Sequence, residues 1–236
     1  MPVLEAIPVS NIYEMSQPMV TLPQNNLAAC LREATRDLHI QAERSGAVQA
    51  MLRGQISRAG YALFLRNLLP AYESLEAGLR RHRGKPGIRH LCRPELHREA
   101  AITCDLAALA GADWRSRLAL LPAAADYAAL VVAADAPALV GHAYTRHLAD
   151  LSGAQLLRRA LERRIGLGPE AQAYYRFPTI VDLAAYRDGY RASLDVAADE
   201  LEAAGPGATG RIVAAACAGF AANIAVSEAV AAVLAD

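Results

Sequence analysis

The chain has 236 residues, which is long enough for one domain with a buried core. Its 24 basic and 24 acidic residues cancel, so the composition does not indicate a nucleic acid or an anionic membrane as partner. The four cysteines are widely spaced and form no CxxC pair, which argues against a disulfide frame and a cysteine zinc site. The first basic residue is Arg32 and no uninterrupted apolar run reaches about 20 residues, so we expect a soluble, cytoplasmic protein.

Two regions differ in composition. Residues 1–26 hold four prolines and little helical periodicity, which predicts a flexible N-terminal extension. Over residues 27–236, alanine, leucine and arginine dominate and alternating strand patterns are almost absent, so we expect one compact all-α domain. The predicted helices, in chain order, cover residues 27–44, 47–53, 58–82, 94–110, 123–134, 137–165, 179–203 and 208–234.

The first predicted helix carries a histidine among charged residues at helical spacing. At about 100° per residue, the side chains of Arg32, Arg36, His39 and Glu43 fall on roughly one face. An imidazole can ligate a metal and guanidiniums can neutralise carboxylates, so this face could hold a flat anionic cofactor. Taken alone, a histidine in this setting is more often a surface or core residue than a ligand.

The helix predicted over 137–165 is interrupted by the run Ser152, Gly153 and Ala154. A glycine inside a helix costs about 1 kcal/mol relative to alanine, and helices often kink at Gly/Ser pairs. Two interpretations stay open. In one, the helix bends so that its backbone passes close over a ligand, with Asp150 as a buried carboxylate. In the other, the small residues only allow close packing against a neighbouring helix.

Four segments, in this order, resemble the heme oxygenase family, and the likeness extends over about 27–228. The first, LREATRDLHIQAE (31–43), is similar to the proximal helix of that family, and YTRHLADLSGAQ (144–155) to its distal helix. YRFPTI (175–180), followed by two arginines, resembles the segment that contacts the heme propionates. FAAN (220–223) resembles part of the last helix. The resemblance implies a heme held between a proximal helix and a kinked distal helix.

The resemblance also implies residue roles around a heme b. His39 would be the axial iron ligand and Glu43 would orient its other ring nitrogen. The basic residues near the propionates would be Arg32, Arg36, Arg187 and Arg191. On the distal side, the implied catalytic residues are Tyr144, Arg146, Asp150 and Gly153. The implied cofactor contacts there are Tyr144, Ala149, Gly153, Phe220 and Asn223. Tyr72 would belong to the distal hydrogen-bond network.

The implied activity is the O2-dependent degradation of heme to biliverdin, carbon monoxide and ferrous iron. Heme would be both substrate and cofactor, and an electron donor such as ferredoxin or a reductase would supply the electrons. Asp150 would hold a water in the distal pocket. We expect a monomer that binds neither nucleic acid nor membrane.

Three residues depart from the family pattern. Ala149 and Ala154 stand where the family has glycine, and His147 stands where it usually has tyrosine. A methyl group at either alanine could press on a bound ligand. A heme-binding or trafficking protein of the same fold, with little or no turnover, is therefore the alternative function. His147 is interpreted as a surface substitution rather than a second imidazole near the pocket.

A protein of the same helical fold that uses no heme is a further alternative. A diiron oxidase would need several inward-facing carboxylate and histidine ligands. The only obvious candidates are His39, Glu43 and Asp150. The tyrosines of the later segments, Tyr174, Tyr175, Tyr186 and Tyr190, are interpreted mainly as packing residues.

Overall fold

A computed structural model describes residues 26–235, and over this range the chain forms eleven α-helices and no strand. The helices are α1 Leu27–Ala34, α2 Arg36–Arg44, α3 Gly46–Arg53, α4 Arg58–His82, α5 Glu99–Ala110, α6 Trp114–Arg117, α7 Pro122–Val132, α8 Ala136–Leu151, α9 Ala154–Ile165, α10 Leu183–Ala204 and α11 Ala208–Ala235. Short 3-10 turns cover Ile88–His90, Pro94–Leu96, Pro169–Ala171 and Ala173–Tyr175. The all-α prediction is confirmed. The predicted N-terminal extension lies outside the described residues except for Asn26.

The helix predicted over 27–44 is in fact two helices, because the chain bends at Thr35. The Thr35 hydroxyl donates to the Leu31 carbonyl at 2.7 Å, and the Thr35 amide donates to the same oxygen at 2.9 Å. A threonine that bonds back to the preceding turn in this way often bends a helix. The bend separates α1 from α2, which carries His39.

The helix predicted over 137–165 is likewise divided, into α8 and α9, at Ser152 and Gly153. Ser152 has φ −120° and ψ −81°, outside the helical region. Its amide donates to the Ala149 carbonyl at 3.3 Å, so the end of α8 tightens before α9 begins. Of the two arrangements that the sequence left open, the structure therefore has the bent one.

Two other predicted helices begin later than expected, and in each case a carboxylate fixes the start. The chain turns at Pro94–Leu96, and α5 begins only where the buried Glu76 accepts hydrogen bonds from the amides of Arg98 and Glu99, at 2.6 and 2.9 Å. The α10 helix begins after Asp182, whose side chain accepts from two amides of the first turn. The short helix α6 was not predicted.

The helices α8 and α11 pack closely along each other in the core. A Cβ added to Gly141 of α8 would lie 2.3 Å from the Ile212 carbonyl oxygen of α11, so only glycine fits there. The turn between α2 and α3 is also fixed to α11, since Ser227 donates to the Ser45 carbonyl and accepts from the Val48 amide, both at 3.1 Å. Through these contacts α11 holds α2 and α8 in place.

Although the sequence has no uninterrupted apolar run of about 20 residues, one of its helices has the length and mean hydropathy of a membrane span. Among residues 26–235, α11 is the one helix long and apolar enough, and a third of its most apolar 18-residue window is buried (33%). Core helices of soluble proteins pass the same test. In this protein α11 packs against α2, α3, α4, α7 and α8.

Candidate functional site

A cavity of about 530 Å³ lies between the α1–α2 segment and the α8–α9 segment. This volume is in the range of small-molecule sites, roughly 300–1,000 Å³. The residues that line it and that the sequence singled out are Arg32, Arg36, His39, Glu43, Tyr144, Arg146, Ala149, Asp150, Gly153, Ala154, Arg191, Phe220 and Asn223. The two segments recognised in the sequence therefore face the same cavity.

The α2 wall of the cavity carries His39 and Glu43. The His39 Nδ1 atom lies 3.7 Å from Glu43 Oε1, too far for a direct hydrogen bond but close enough for the carboxylate to favour a proton on Nδ1. A neutral imidazole with that proton leaves Nε2 with its lone pair free for a metal. The His39 and Glu43 side chains are 55% and 58% exposed, so this wall is open to a ligand.

Phe220 of α11 lies beside this wall. Its ring centroid is 5.8 Å from that of His39, with the two planes tilted by 57°. Phe220 also lines the cavity, and the distal role that the resemblance implies for it stays a prediction. Because α11 contacts both α2 and α8, one helix supplies residues to both walls.

The rim of the cavity is basic. Arg32 and Arg36 from the α1–α2 segment and Arg191 from α10 all line it. Arg191 also donates to Asp188 at 2.7 Å. Arg187, one helical turn before Arg191, is not among the residues that line the cavity, and its Nε atom lies 4.0 Å from Asp188. Its contact with a heme propionate stays a prediction.

On the opposite wall, the Asp150 carboxylate is the centre of a buried hydrogen-bond network. Tyr72 of α4 lies 2.8 and 2.7 Å from its two oxygens, and the Tyr174 hydroxyl donates to Oδ1 at 2.8 Å. Arg146 donates from Nη2 to Tyr72 at 2.9 Å and from Nη1 to Asn223 Oδ1 at 2.7 Å. Its Nη2 lies 3.8 Å from Asp150. Asn223 thus reaches the network through Arg146.

The electrostatics of this network follow from its burial. Removal from water raises the pKa of Asp150, while Arg146 and the hydroxyls of Tyr72 and Tyr174 act in the opposite direction. Burial also raises the pKa of Tyr72 well above that of a free phenol. Tyr72 therefore stays protonated and has one proton to donate, while its oxygen accepts from Arg146. The result is a carboxylate in the cavity wall that is held by donors on the protein side.

Tyr174 is the residue of the network that sequence reasoning missed. It lies in the 3-10 turn Ala173–Tyr175, where no helical periodicity relates it to Asp150. It precedes the YRFPTI segment that carried the family resemblance, and we had interpreted it as a packing residue. The hydroxyl of Tyr174 is the one signal that the sequence offers, because a tyrosine in a protein core usually forms a hydrogen bond.

The surface interpretation of His147 is wrong. The residue is 1% exposed, and its Nδ1 lies 2.9 Å from the Tyr190 hydroxyl of α10. It is not among the residues that line the cavity, so it is not a second imidazole there either. Burial lowers the pKa of His147 to about 3, with nearby positive charges acting in the same direction. His147 is a neutral core residue that joins α8 to α10.

The backbone at the α8–α9 bend leaves open space in front of it. A Cβ added to Gly153 would meet only the Ala149 carbonyl oxygen, at 3.9 Å, so no side chain fills this part of the cavity. Ala149 is half-buried and Ala154 is buried, and both line the cavity. A flat ligand with an imidazole-binding metal and carboxylates therefore fits: His39 faces one side, open backbone the other, and arginines the edge.

A cluster of ligands for a diiron centre is not found among residues 26–235. No group of three or more His, Cys, Asp or Glu side chains in this range could hold a metal ion. His39 and Glu43 are adjacent, whereas Asp150 is surrounded by Tyr72, Tyr174 and Arg146. The ligand set that the diiron alternative needs is therefore missing from the described part of the chain.

Comparison with known proteins agrees with this geometry. The model of the heme oxygenase family matches residues 25–229. The chain belongs to the heme oxygenase family. It is 34% identical over 187 residues to heme oxygenase 1 of Rattus norvegicus, covering 77% of this chain and 65% of the rat protein. It is 35% identical over 173 residues to heme oxygenase 1 of Synechocystis sp., covering 72% of each.

The fold matches solved structures of the family. The crystal structure of Synechocystis heme oxygenase-1 in complex with heme superposes with a TM-score of 0.81 at 32% identity. The match covers 89% of this chain and 94% of that one. The all-α architecture is therefore the heme oxygenase fold.

Proposed function

We propose that this protein degrades heme with O2 to biliverdin, carbon monoxide and ferrous iron. The observation that carries the proposal is the cavity with His39 in one wall and the buried Asp150 carboxylate in the other. Membership of the heme oxygenase family supports it. When bound, heme would supply the iron that activates O2 and the ring carbon that is oxidised.

His39 would bind the iron of a heme b through Nε2. Glu43 supports this assignment, because a carboxylate 3.7 Å from Nδ1 favours the tautomer with the proton on that nitrogen. The exposed side chain of His39 can reach the ligand without moving core residues.

Arg32, Arg36 and Arg191 would neutralise the heme propionates at the cavity rim. Guanidinium groups bind carboxylates with paired hydrogen bonds, so they would fix the rotation of the ring as well as add affinity. Arg191 would exchange or share its contact with Asp188, which it already meets at 2.7 Å. Arg187, one turn before Arg191 on the same helix, would be a further propionate contact, although it is not among the residues that line the cavity.

Asp150 would hold a water on the side of the cavity opposite His39. It would accept a proton from that water or return one to it. Its hydroxyl donors come from Tyr72 and Tyr174, and a carboxylate has about four acceptor sites. Acceptor capacity therefore remains for a water. Gly153 would leave room for O2 beside that water, because its position carries no side chain. Tyr144 lines the same wall.

The cellular setting is also part of the proposal. The electrons would come from an external donor such as ferredoxin or a reductase, and the protein would act as a cytoplasmic monomer. The balance of 24 basic and 24 acidic residues supports a protein without a nucleic-acid or membrane partner.

Heme titration followed by a turnover assay tests this function. We expect a Soret band for the parent protein that is lost or shifted in His39→Ala and restored by added imidazole. His82→Ala is the matched control, because His82 lies at the end of α4 and does not line the cavity. With reduced ferredoxin and O2, the loaded parent protein should give biliverdin on chromatography, and His39→Ala should not.

The same assay decides against the alternative. Heme that stays intact after many reducing equivalents would favour a heme-binding or trafficking protein. The observation behind that alternative is that the Ala149 and Ala154 methyl groups line the cavity. No Soret band in the parent protein would overturn both functions.

A further inference from the structure

Tyr174 makes a contact with Asp150 that neither the sequence motifs nor the proposed function requires. Its hydroxyl lies 2.8 Å from Asp150 Oδ1 and 2.9 Å from the Tyr72 hydroxyl. Its side chain is buried, at 5% exposure, and it lines the cavity. Two phenols from distant parts of the chain therefore meet on one carboxylate.

A count of the available protons gives an arrangement in which both phenols donate to the carboxylate. Each phenol has one proton, and both lie within hydrogen-bond distance of an Asp150 oxygen. The contact between the two hydroxyl oxygens then has no proton of its own. Arg146 Nη2 compensates, since it donates to Tyr72 at 2.9 Å and to Tyr174 at 3.3 Å. In this arrangement both phenolic protons point toward the carboxylate, and Arg146 binds the phenol oxygens from the other side.

Tyr174 is itself held by a second buried carboxylate. Asp105 of α5 is 0% exposed, and its two oxygens accept from the amides of Ala173 and Tyr174 at 2.8 and 2.9 Å. On the other side of the turn, Gln155 of α9 donates to the Tyr175 carbonyl at 2.8 Å. The turn Ala173–Tyr175 is therefore fixed from both α5 and α9.

We propose that Tyr174 is a positioning residue for Asp150, and that Asp105 sets the place of Tyr174 by binding the backbone of its turn. Tyr174 would keep the carboxylate ionised and facing the cavity. Its importance for turnover rests on the proposed function, but the contact with Asp150 does not. The other groups that act on Asp150 are Arg146 from its own helix, Tyr72 from α4 and the charge of Arg98.

Titration of Asp150 in the heme-free protein tests the first part. Tyr174→Phe keeps the ring and removes the hydroxyl, so we expect the Asp150 pKa to rise by about one unit, because a hydrogen bond to an ionised group is lost. Carboxyl ¹³C NMR, with Asp150→Asn to assign the signal, measures it. Tyr61→Phe is the control, since that hydroxyl is buried, has no hydrogen-bond partner in the described structure and does not line the cavity.

The loaded protein gives a second readout for Tyr174→Phe. We expect kcat for biliverdin formation to fall about tenfold, with heme affinity from the Soret titration changed less than about twofold. An unchanged Asp150 titration in Tyr174→Phe would overturn the proposal. If the Asp150 pKa shifts in Tyr174→Phe but neither the parent protein nor any variant forms biliverdin, the Tyr174 contact stands and the proposed function is refuted.

A double-mutant cycle tests the part played by Asp105. Asp105→Asn replaces one acceptor oxygen by an amide donor that faces a backbone N–H, so the turn should loosen and the Asp150 pKa should rise. Direct loss of the Asp105 charge would have the opposite effect and lower that pKa, so the sign separates the two routes. The rise should disappear in the Tyr174→Phe background.

An equal shift in both backgrounds, or a lower Asp150 pKa in Asp105→Asn alone, would refute the role of Asp105. Circular dichroism establishes that each variant is folded. If Asp105→Asn does not fold, Asp105→Glu, which keeps both oxygens but displaces them, takes its place in the cycle. For Asp105→Glu we expect the same rise in the Asp150 pKa and the same loss of that rise in the Tyr174→Phe background.

Discussion

The Asp150 carboxylate is the residue at which the fold brings together the most distant parts of the site. Its partners Tyr72, Arg146 and Tyr174 come from α4, α8 and the turn before α10. A buried carboxylate without such partners would be protonated or would destabilise the fold. Because the partners are donors, they oppose the rise in the Asp150 pKa that burial causes and favour the ionised form, which can accept a proton next to the cavity. That ionised form is what the proposed chemistry needs.

Ala149 places a methyl group in this wall beside Asp150. It lines the cavity one residue before Asp150. We expect Ala149→Gly to preserve or raise the rate of biliverdin formation, because it removes a methyl group from the space beside the ligand. The helix should lose about 1 kcal/mol of stability. Turnover assays and urea unfolding measure the two effects.

Ala138→Gly, in the first turn of the same helix, is the matched control for Ala149→Gly. It makes a comparable backbone change away from the cavity, so it should leave turnover unchanged. A large loss of turnover in Ala149→Gly, without the same loss in Ala138→Gly, would contradict the expectation. Turnover would then require the methyl group of Ala149.

At the scale of elements, the contact between α8 and α11 determines where the distal wall lies. Gly141 allows the two backbones to approach, and Thr145 of α8 donates to the Ala216 carbonyl of α11 at 3.2 Å. The alanine-rich part of α11 has the small side chains that such an approach requires. Since α11 also holds the α2–α3 turn, the distance between the two cavity walls depends on this one helix pair.

Gly141→Ala should therefore destabilise the protein by at least about 1–3 kcal/mol, the usual cost of overpacking. The added Cβ would lie 2.3 Å from a backbone oxygen, which cannot move as a flexible side chain can. Gly189→Ala is the matched comparison in α10, where an added Cβ meets nothing within 4 Å. That variant should gain up to about 1 kcal/mol from helix propensity.

Urea unfolding of the two glycine variants beside the parent protein measures these effects. The expected result is opposite signs for the same chemical change. A Gly141→Ala protein as stable as the parent would show that α8 and α11 can separate without cost. The close approach would then not determine the wall spacing.

At the scale of the whole molecule, buried titratable groups make stability depend on pH. Burial lowers the pKa of His142 to about 4 and of His147 to about 3. An unfolded histidine titrates near 6.5, so the unfolded chain binds protons below that pH that the folded protein does not. Stability should therefore fall as the pH drops from about 6.5 toward these values.

His147→Gln isolates one of these two groups. At pH 5 the parent should have lost about 2 kcal/mol of its neutral-pH stability through His147 alone, and the variant should not show that loss. Glutamine keeps an acceptor for the Tyr190 hydroxyl. Burial raises the pKa of Asp105 and Asp150, so these two groups make the folded protein more stable as the pH drops. The variant is therefore compared with the parent protein at each pH, where these two contributions cancel.

Urea unfolding between pH 5 and pH 7.5 measures the two curves. Parallel curves for His147→Gln and the parent protein would contradict a buried, neutral His147. Ala138→Gly, in the same helix, is the control because it changes no titratable group. Its curve should run parallel to that of the parent protein.

Much of this protein could be predicted from sequence because helices leave periodic signals. The bounds of α4 were predicted to the residue, and the spacing of Arg32, Arg36, His39 and Glu43 placed four lining residues on one face. Glycine and serine marked the bend before α9. These features are local, since each depends on residues within one or two turns of each other.

The tertiary structure alone decided the rest. Tyr174 reaches Asp150 from a turn, Phe220 lies beside His39, Arg187 stays outside the cavity, and His147 is buried against Tyr190. Each of these facts depends on how far apart two helices lie and how they are rotated. Periodicity shows which face of a helix is apolar, but it does not show which element covers that face. The packing of α8 against α11 and α10 supplies that information, so His39 and Asp150 could be named from sequence while the network that holds Asp150 could not.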